Sequence, residues 1–122
     1  MAYRMVGQFS LSKGRLPMRK IESRILDAIA ERRIGIVKLS KRDYVETTAD
    51  SIDVTLWSTT IAKIYTDRVV VNSGNWRTVT TKSRLNAILR EYCGTGINQV
   101  KGEWYIDGES FYDAMSIARV DY

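Results

Sequence analysis

The chain has 122 residues, no histidine, one cysteine and a formal net charge of +5. That length suits one domain with a modest core, and the ordinary apolar content excludes wholesale disorder. No apolar run approaches the roughly 20 residues needed to span a bilayer, and the first 16 lack the continuous apolar stretch of a secretory signal.

The elements follow in chain order. Residues 3–10 carry strand-forming Tyr3, Val6 and Phe9, and Ser12-Lys13-Gly14 reads as a turn. Pro17 stands where a first helical turn tolerates its missing donor. Ile21, Ile25, Ala28 and Ile29 then recur at three- and four-residue steps, which predicts an amphipathic helix over about 17–33. Arg32 and Arg33 fall in its expected last turn, where cations suit the helix dipole. Residues 34–39 read as a strand, 41–43 as a turn, and 44–48 as a further strand or irregular chain. Three β-rich runs follow, at 52–57, 61–66 and 69–72, with Asp67-Arg68 as a hairpin turn between the last two. Ser73-Gly74-Asn75 forms another turn, and 76–80 a short strand.

A second helix is expected over about 81–92, with the Thr80 or Thr81 hydroxyl accepting from its unpaired first-turn amides. Leu85, Ile88, Leu89 and Tyr92 form its apolar stripe, and Gly94 stops it. Lys101-Gly102 joins strands 97–100 and 103–106 as a hairpin. The tail from 109 reads equally as a helix through Phe111, Met115 and Ala118 or as an edge strand. The fold class is therefore α+β, a small antiparallel sheet with two main helices packed on it. The chain reads as one domain, with a basic N-terminal extension over 1–51 and a hairpin–helix–hairpin module over 52–117.

The missing histidine removes the usual base near neutral pH, the usual activator of a nucleophile and the commonest zinc ligand. Cys93 has no second cysteine to pair with, so no internal disulfide forms, which fits a reducing, cytoplasmic setting. At the end of a helix it reads as a small buried apolar residue. Asp43, Asp50, Asp53, Asp67, Asp107 and Asp113 sit mostly beside turns, where aspartate bonds its own backbone. No glycine-rich phosphate loop is present, and Gly94-Thr95-Gly96 is only a fragment of one. No catalytic residue, metal ligand or cofactor is assigned, and a non-enzymatic protein is expected. Oxygen-only Mg²⁺ chemistry at paired carboxylates is the one enzymatic route the composition leaves open.

Charge is segregated. Residues 1–42 hold eleven Lys/Arg against three Asp/Glu, whereas residues 43–122 hold eight against eleven. This points either to a polyanionic partner for the basic half or to two halves that neutralise each other. The candidate binding cations of the first part are Arg15, Arg19, Lys20, Arg24, Arg32, Arg33, Lys38, Lys41 and Arg42. A second set lies in the acid-free run 72–84, which joins Trp76, Arg77, Lys82 and Arg84 to a cluster of hydroxyls at a helix start. Trp76 either stacks on a base or packs in the core. Lys82, Asn86 and Arg90 share one helix face, which equally is what an amphipathic helix shows to water.

Residues 69–86, VVVNSGNWRTVTTKSRLN, together with Trp104-Tyr105-Ile106, Phe111, Asp113 and Met115, resemble an uncharacterised family of small tailed-phage accessory proteins. Members carry an LNSGGWRTVTTK strand leading into a helix, then a WYV-like strand. The likeness covers about 52–117, and residues 1–51 read as an addition. Asn75 replaces the second glycine of the turn and tolerates a left-handed backbone. Ala114 replaces the glycine after the aspartate, which leaves open whether the terminal turn is kept or changed there. The resemblance implies a phage protein acting in the host bacterial cytoplasm and supplies no activity, cofactor or catalytic residue. The leading expectation is binding to nucleic acid or to a nucleic-acid-bearing host complex. The alternatives are a counter-defence or host-takeover inhibitor acting by protein contact (anti-CRISPR-like), a sponge for a nucleotide signal at a homo-oligomer interface, and a minor virion component. No membrane partner is expected.

Overall fold

The computed structural model describes residues 19–120. The strand expected at 3–10, the turn at 12–14, Pro17 and Arg15 lie outside the described residues. Helix α1 spans Lys20–Glu31 and buries Ile25, Leu26, Ala28 and Ile29. It ends sooner than the expected 33, because Arg32 takes a left-handed conformation (φ 53°) as its C-cap and turns the chain away. Arg32 and Arg33 therefore stand beyond the last helical turn, which holds no basic residue.

Five strands follow as a meander: β1 (Gly35–Lys38), β2 (Asp43–Thr47), β3 (Ile52–Leu56), β4 (Thr59–Ile64) and β5 (Arg68–Val71). Helix α2 (Val79–Tyr92) leads to β6 (Ile97–Val100), β7 (Glu103–Ile106), β8 (Glu109–Ser110) and β9 (Met115–Ala118). The main sheet has the order β1-β2-β3-β4-β5-β9, and β6-β7-β8 form a small second sheet. Every pairing is antiparallel.

Alternation sets which face of the main sheet is covered. Val45, Val54, Ala62, Val71 and Met115 lie in register across β2 to β5 and β9, and all are buried. Thr47, Ile52, Ile64 and Val69 make a second buried row. A bulge between Val54 and Thr55 places both Ile61 and Ala62 in the core. The ambiguous tail is a strand. Met115 and Ile117 pair with Val71 and Val69 and extend the apolar rows by one strand, which a helix there would leave unpaired.

Helix α2 is covered on more than one side. Leu85, Ile88 and Leu89 are fully buried, as the stripe predicts, and so are Arg84, Thr81 and Ala87. The small sheet contributes Ile97, Trp104 and Ile106 to the same core, and Trp104 meets the Phe111 ring edge-on at 5.3 Å. Cys93 is buried at the helix end. The strand expected over 76–80 does not form. Residues 76–78 are irregular and Val79 already begins the helix, because Thr78 is the N-cap and its Oγ1 accepts from Thr81 N at 3.1 Å. The preceding turn is left-handed at both Gly74 (φ 60°) and Asn75 (φ 67°), as the asparagine substitution anticipated. Ala114 is left-handed too (φ 69°), so the terminal turn keeps the glycine-type backbone rather than changing it.

Candidate nucleic-acid interface

The polar centre of the molecule is a buried ion network that joins α1, β2 and α2. Arg84 Nε donates to Asp43 Oδ1 at 2.9 Å, and its Nη1 donates to Glu22 Oε2 at 3.2 Å. All three side chains are almost wholly excluded from water. Ser40 Oγ donates to the other oxygen of Asp43 at 2.6 Å, and Ser83 Oγ donates to Glu22. Bonded to both, the guanidinium offsets part of the desolvation of two carboxylates. Among the described residues, the pair of acids brought together in the core is thus engaged by structure. Arg84, a candidate binding cation by sequence, is corrected to a buried structural residue: the stripe it shares with Leu85 and Ile88 faces the body, not solvent.

The network also fixes where the exposed cations stand. Glu22 lies in the first turn of α1, so the start of that helix, with Arg19 and Lys20, is held near the turn carrying Arg42 and Asp43. Arg19, Lys20 and Arg24 are exposed along the first turns of α1. Arg32 and Arg33 are exposed at the opposite end, roughly 18 Å away for twelve helical residues. Lys41 is exposed, and Arg42 is half-exposed with its Nε 3.7 Å from Asp43. Lys38 lies over the Tyr44 ring at 5.9 Å on the uncovered face of the sheet. Among the described residues, Arg19, Lys20, Arg24, Arg32, Arg33, Lys38, Lys41 and Arg90 make no ion pair.

The acid-free run is divided. Arg77 packs over the Phe111 ring at 5.2 Å and reaches its carbonyl at 3.4 Å. Lys82 donates to Gln99 Oε1 at 2.7 Å, and Asn86 accepts from Ile97 N, so much of the supposed solvent face of α2 meets the small sheet. Arg90 is exposed in the last turn of α2. Trp76 is not in the core: it is 69% exposed.

Trp76 lies on a groove of about 580 Å³ that sequence reading did not anticipate. Three segments meet there: the β3–β4 hairpin tip with Trp57, Ser58 and Thr59, the β5–α2 connection with Ser73 and Trp76, and the start of α2 with Thr78 and Thr80. Arg42 lines it as well, and among the described residues no acidic side chain does. Two remote contacts hold these segments together. Trp57 N donates to Arg42 O at 2.6 Å, and Ser73 donates through both N and Oγ to Asp113 Oδ1 at 2.8 Å. Ser73 O in turn accepts from Trp76 N at 2.9 Å. Asp113 thereby positions the turn that presents Trp76, forty residues away in sequence. Gly74 is required at that turn, since a Cβ there would stand 2.7 Å from Thr59 Cγ2. Trp57 was missed because the run 52–57 read as one strand. The two-residue turn Trp57-Ser58 between Leu56 and Thr59 carries no glycine, asparagine or proline by which the sequence could have marked it.

A second cleft of about 270 Å³ lies at the other end of the sheet, between the β2–β3 and β4–β5 turns, with Arg32 and Arg119 on its wall. Arg119 is held there by the Tyr65 carbonyl at 2.8 Å and the Tyr92 ring at 4.9 Å. Among the described residues, no helix is long and apolar enough to cross a membrane.

The fold and groove define an α+β protein: a six-strand antiparallel sheet and two helices, with a small sheet closing the far side of α2. The chain belongs to the Kyanoviridae Gp96 protein family, a phage family, which it matches over residues 18–119. That match takes in α1, β1 and β2, which the sequence reading set apart as an addition. Comparison with curated proteins and with solved structures found no match to either.

Proposed function

We propose that this phage protein is non-catalytic and binds nucleic acid, or a host complex carrying nucleic acid, through its basic N-terminal surface. What supports the reading is the state of that surface. Arg19, Lys20, Arg24, Arg33 and Lys41 are solvated and, among the described residues, unpaired, while Glu22 and Asp43 are spent on Arg84 inside. Segregated charge that remained available after folding is what a polyanion recognises, chiefly through phosphate contacts that release counterions. A filter-binding or gel-shift series against salt is the test. Neutralising about four phosphates gives a log–log salt slope of roughly −3 to −4, and no association at low ionic strength refutes the reading.

A second reading rests on a different observation. Among the described residues, strand β1 is an edge of the main sheet, and Ile34 and Ile36 are 70% and 67% exposed there. An apolar edge of this kind accepts an added strand from a protein partner, as an inhibitor of a host or defence complex would. Capture from host lysate with and without nuclease separates the two: a nucleic-acid tether is lost on digestion, and a protein contact survives.

A further inference from the structure

We propose that the groove between the β3–β4 hairpin and the start of α2 takes an unpaired nucleobase against Trp57 and Trp76, so that the protein prefers single strands to duplex. This rests on the nucleic-acid reading and deepens it.

The strongest observation is the conformation of Trp57. It occupies the first central position of the two-residue turn between Leu56 and Thr59, with φ 59°. Of the two central residues it alone has positive φ, and glycine is the usual occupant of that position. A bulky aromatic in the left-handed region is a true outlier. Burial does not compensate for it, because the side chain is 65% exposed. Strain kept without packing to offset it is characteristic of a residue held for contact with something else.

Three further observations define that contact. Trp76 is 69% exposed and lines the same groove, whose volume falls within the range of about 300–1,000 Å³ found for small-ligand sites. Besides the two indoles, the described lining is Leu56, Ile61, Arg42 and serine and threonine hydroxyls, with no carboxylate among the described residues, which suits an anionic strand whose bases present apolar faces and polar edges. The groove also adjoins the cations it would work with, since Glu22, Arg84 and Asp43 tie the start of α1 to the Arg42 turn. Exposed indoles stack on any base that has left its helix. In a duplex the bases are stacked on one another, so the rings gain nothing from them.

The experiment compares a single-stranded DNA of about 12 nucleotides, within the site sizes of about 4–16 known for stacking grooves, with the duplex of the same sequence. Fluorescence anisotropy is read for the wild type, Trp57→Gly, Trp76→Ala and an Arg19→Glu, Lys20→Glu, Arg24→Glu variant. Each tryptophan variant is expected to lose roughly 5- to 150-fold in single-strand affinity, equivalent to about 1–3 kcal/mol per stacked base, with its salt slope unchanged. Trp57→Gly is expected to melt no lower than the wild type, since glycine relieves the backbone, so its loss is not a folding defect. The charge-reversed variant is expected to lose affinity for both probes and to flatten the salt slope. Equal binding of the two probes, or full single-strand affinity in both tryptophan variants, overturns the groove assignment while leaving the basic-surface reading intact. No binding of either probe at low salt overturns both.

Discussion

Replacing Arg84 by methionine strips two buried carboxylates of their shared counter-ion while nearly conserving side-chain volume. Glu22 and Asp43 are 3% and 2% exposed, so water cannot take over as partner; among the described residues Glu22 keeps the Ser83 hydroxyl, and Asp43 keeps the Ser40 hydroxyl and the half-exposed Arg42 at 3.7 Å. Breaking a buried pair from one side costs about 3–5 kcal/mol. That is a large part of the roughly 5–15 kcal/mol that holds a domain folded. At about 4 °C per kcal/mol for a chain of this size, Tm falls by roughly 12–20 °C. Urea denaturation followed by tryptophan fluorescence, with thermal melts by circular dichroism, measures the loss. Adding Glu22→Gln and Asp43→Asn removes both orphaned charges and is expected to recover at least half of it. A loss below about 1 kcal/mol for Arg84→Met alone would show that the network is not closed from solvent, and the placing of α1 beside the Arg42 turn would lose its basis.

Other perturbations test separate parts of the structure. Ala114→Gly is expected to stabilise by about 0.5–1 kcal/mol in the same assay, since relief of a left-handed alanine exceeds the glycine's added freedom when unfolded. Gly74→Ala is expected to destabilise by more than about 1 kcal/mol, from positive φ and the approach to Thr59, and adding Thr59→Ala should recover part of it. The hydrogen bond from Lys63 to Asp53, 2.9 Å long, raises the lysine pKa above 10.5, with burial acting in the opposite direction. A raised lysine pKa contributes stability that is complete below the unfolded value and disappears as pH climbs through the folded one. The Tm gap between the wild type and Asp53→Asn is therefore expected to shrink from about pH 9 to above about pH 11. An unchanged gap contradicts the assignment.

Much of the architecture follows from local pattern. Period-2 alternation from 52 to 71 specifies three antiparallel strands, because only one face of each can be apolar. The 3.6-residue stripes of Ile25, Ala28 and Ile29, and of Leu85, Ile88 and Leu89, specify two helices. The left-handed turn at Gly74-Asn75 was legible for the same reason, since few residue types accept positive φ. What local pattern cannot rank is the use made of a polar side chain. Arg84 and Arg90 belong to the same helix and the same residue type. One is buried against Glu22 and Asp43, from 62 and 41 residues away, and the other meets water. Only the packing of α1 and β2 on α2 separates them.

The groove has the same origin. Trp57, Trp76 and Arg42 lie in three unconnected loops, and each reads differently on its own: a strand end, an aromatic that either stacks on a base or packs in the core, a turn cation. The chain by itself determined most element types, though not those of 76–80 or the tail, along with the charge segregation and the want of histidine chemistry, because these depend on composition and near neighbours. The tertiary structure decided which cations stay in water and that two tryptophans face one cleft. Those outcomes depend on contacts such as Ser73 with Asp113 and Trp57 with Arg42, whose free energy exists only once distant segments have been brought together.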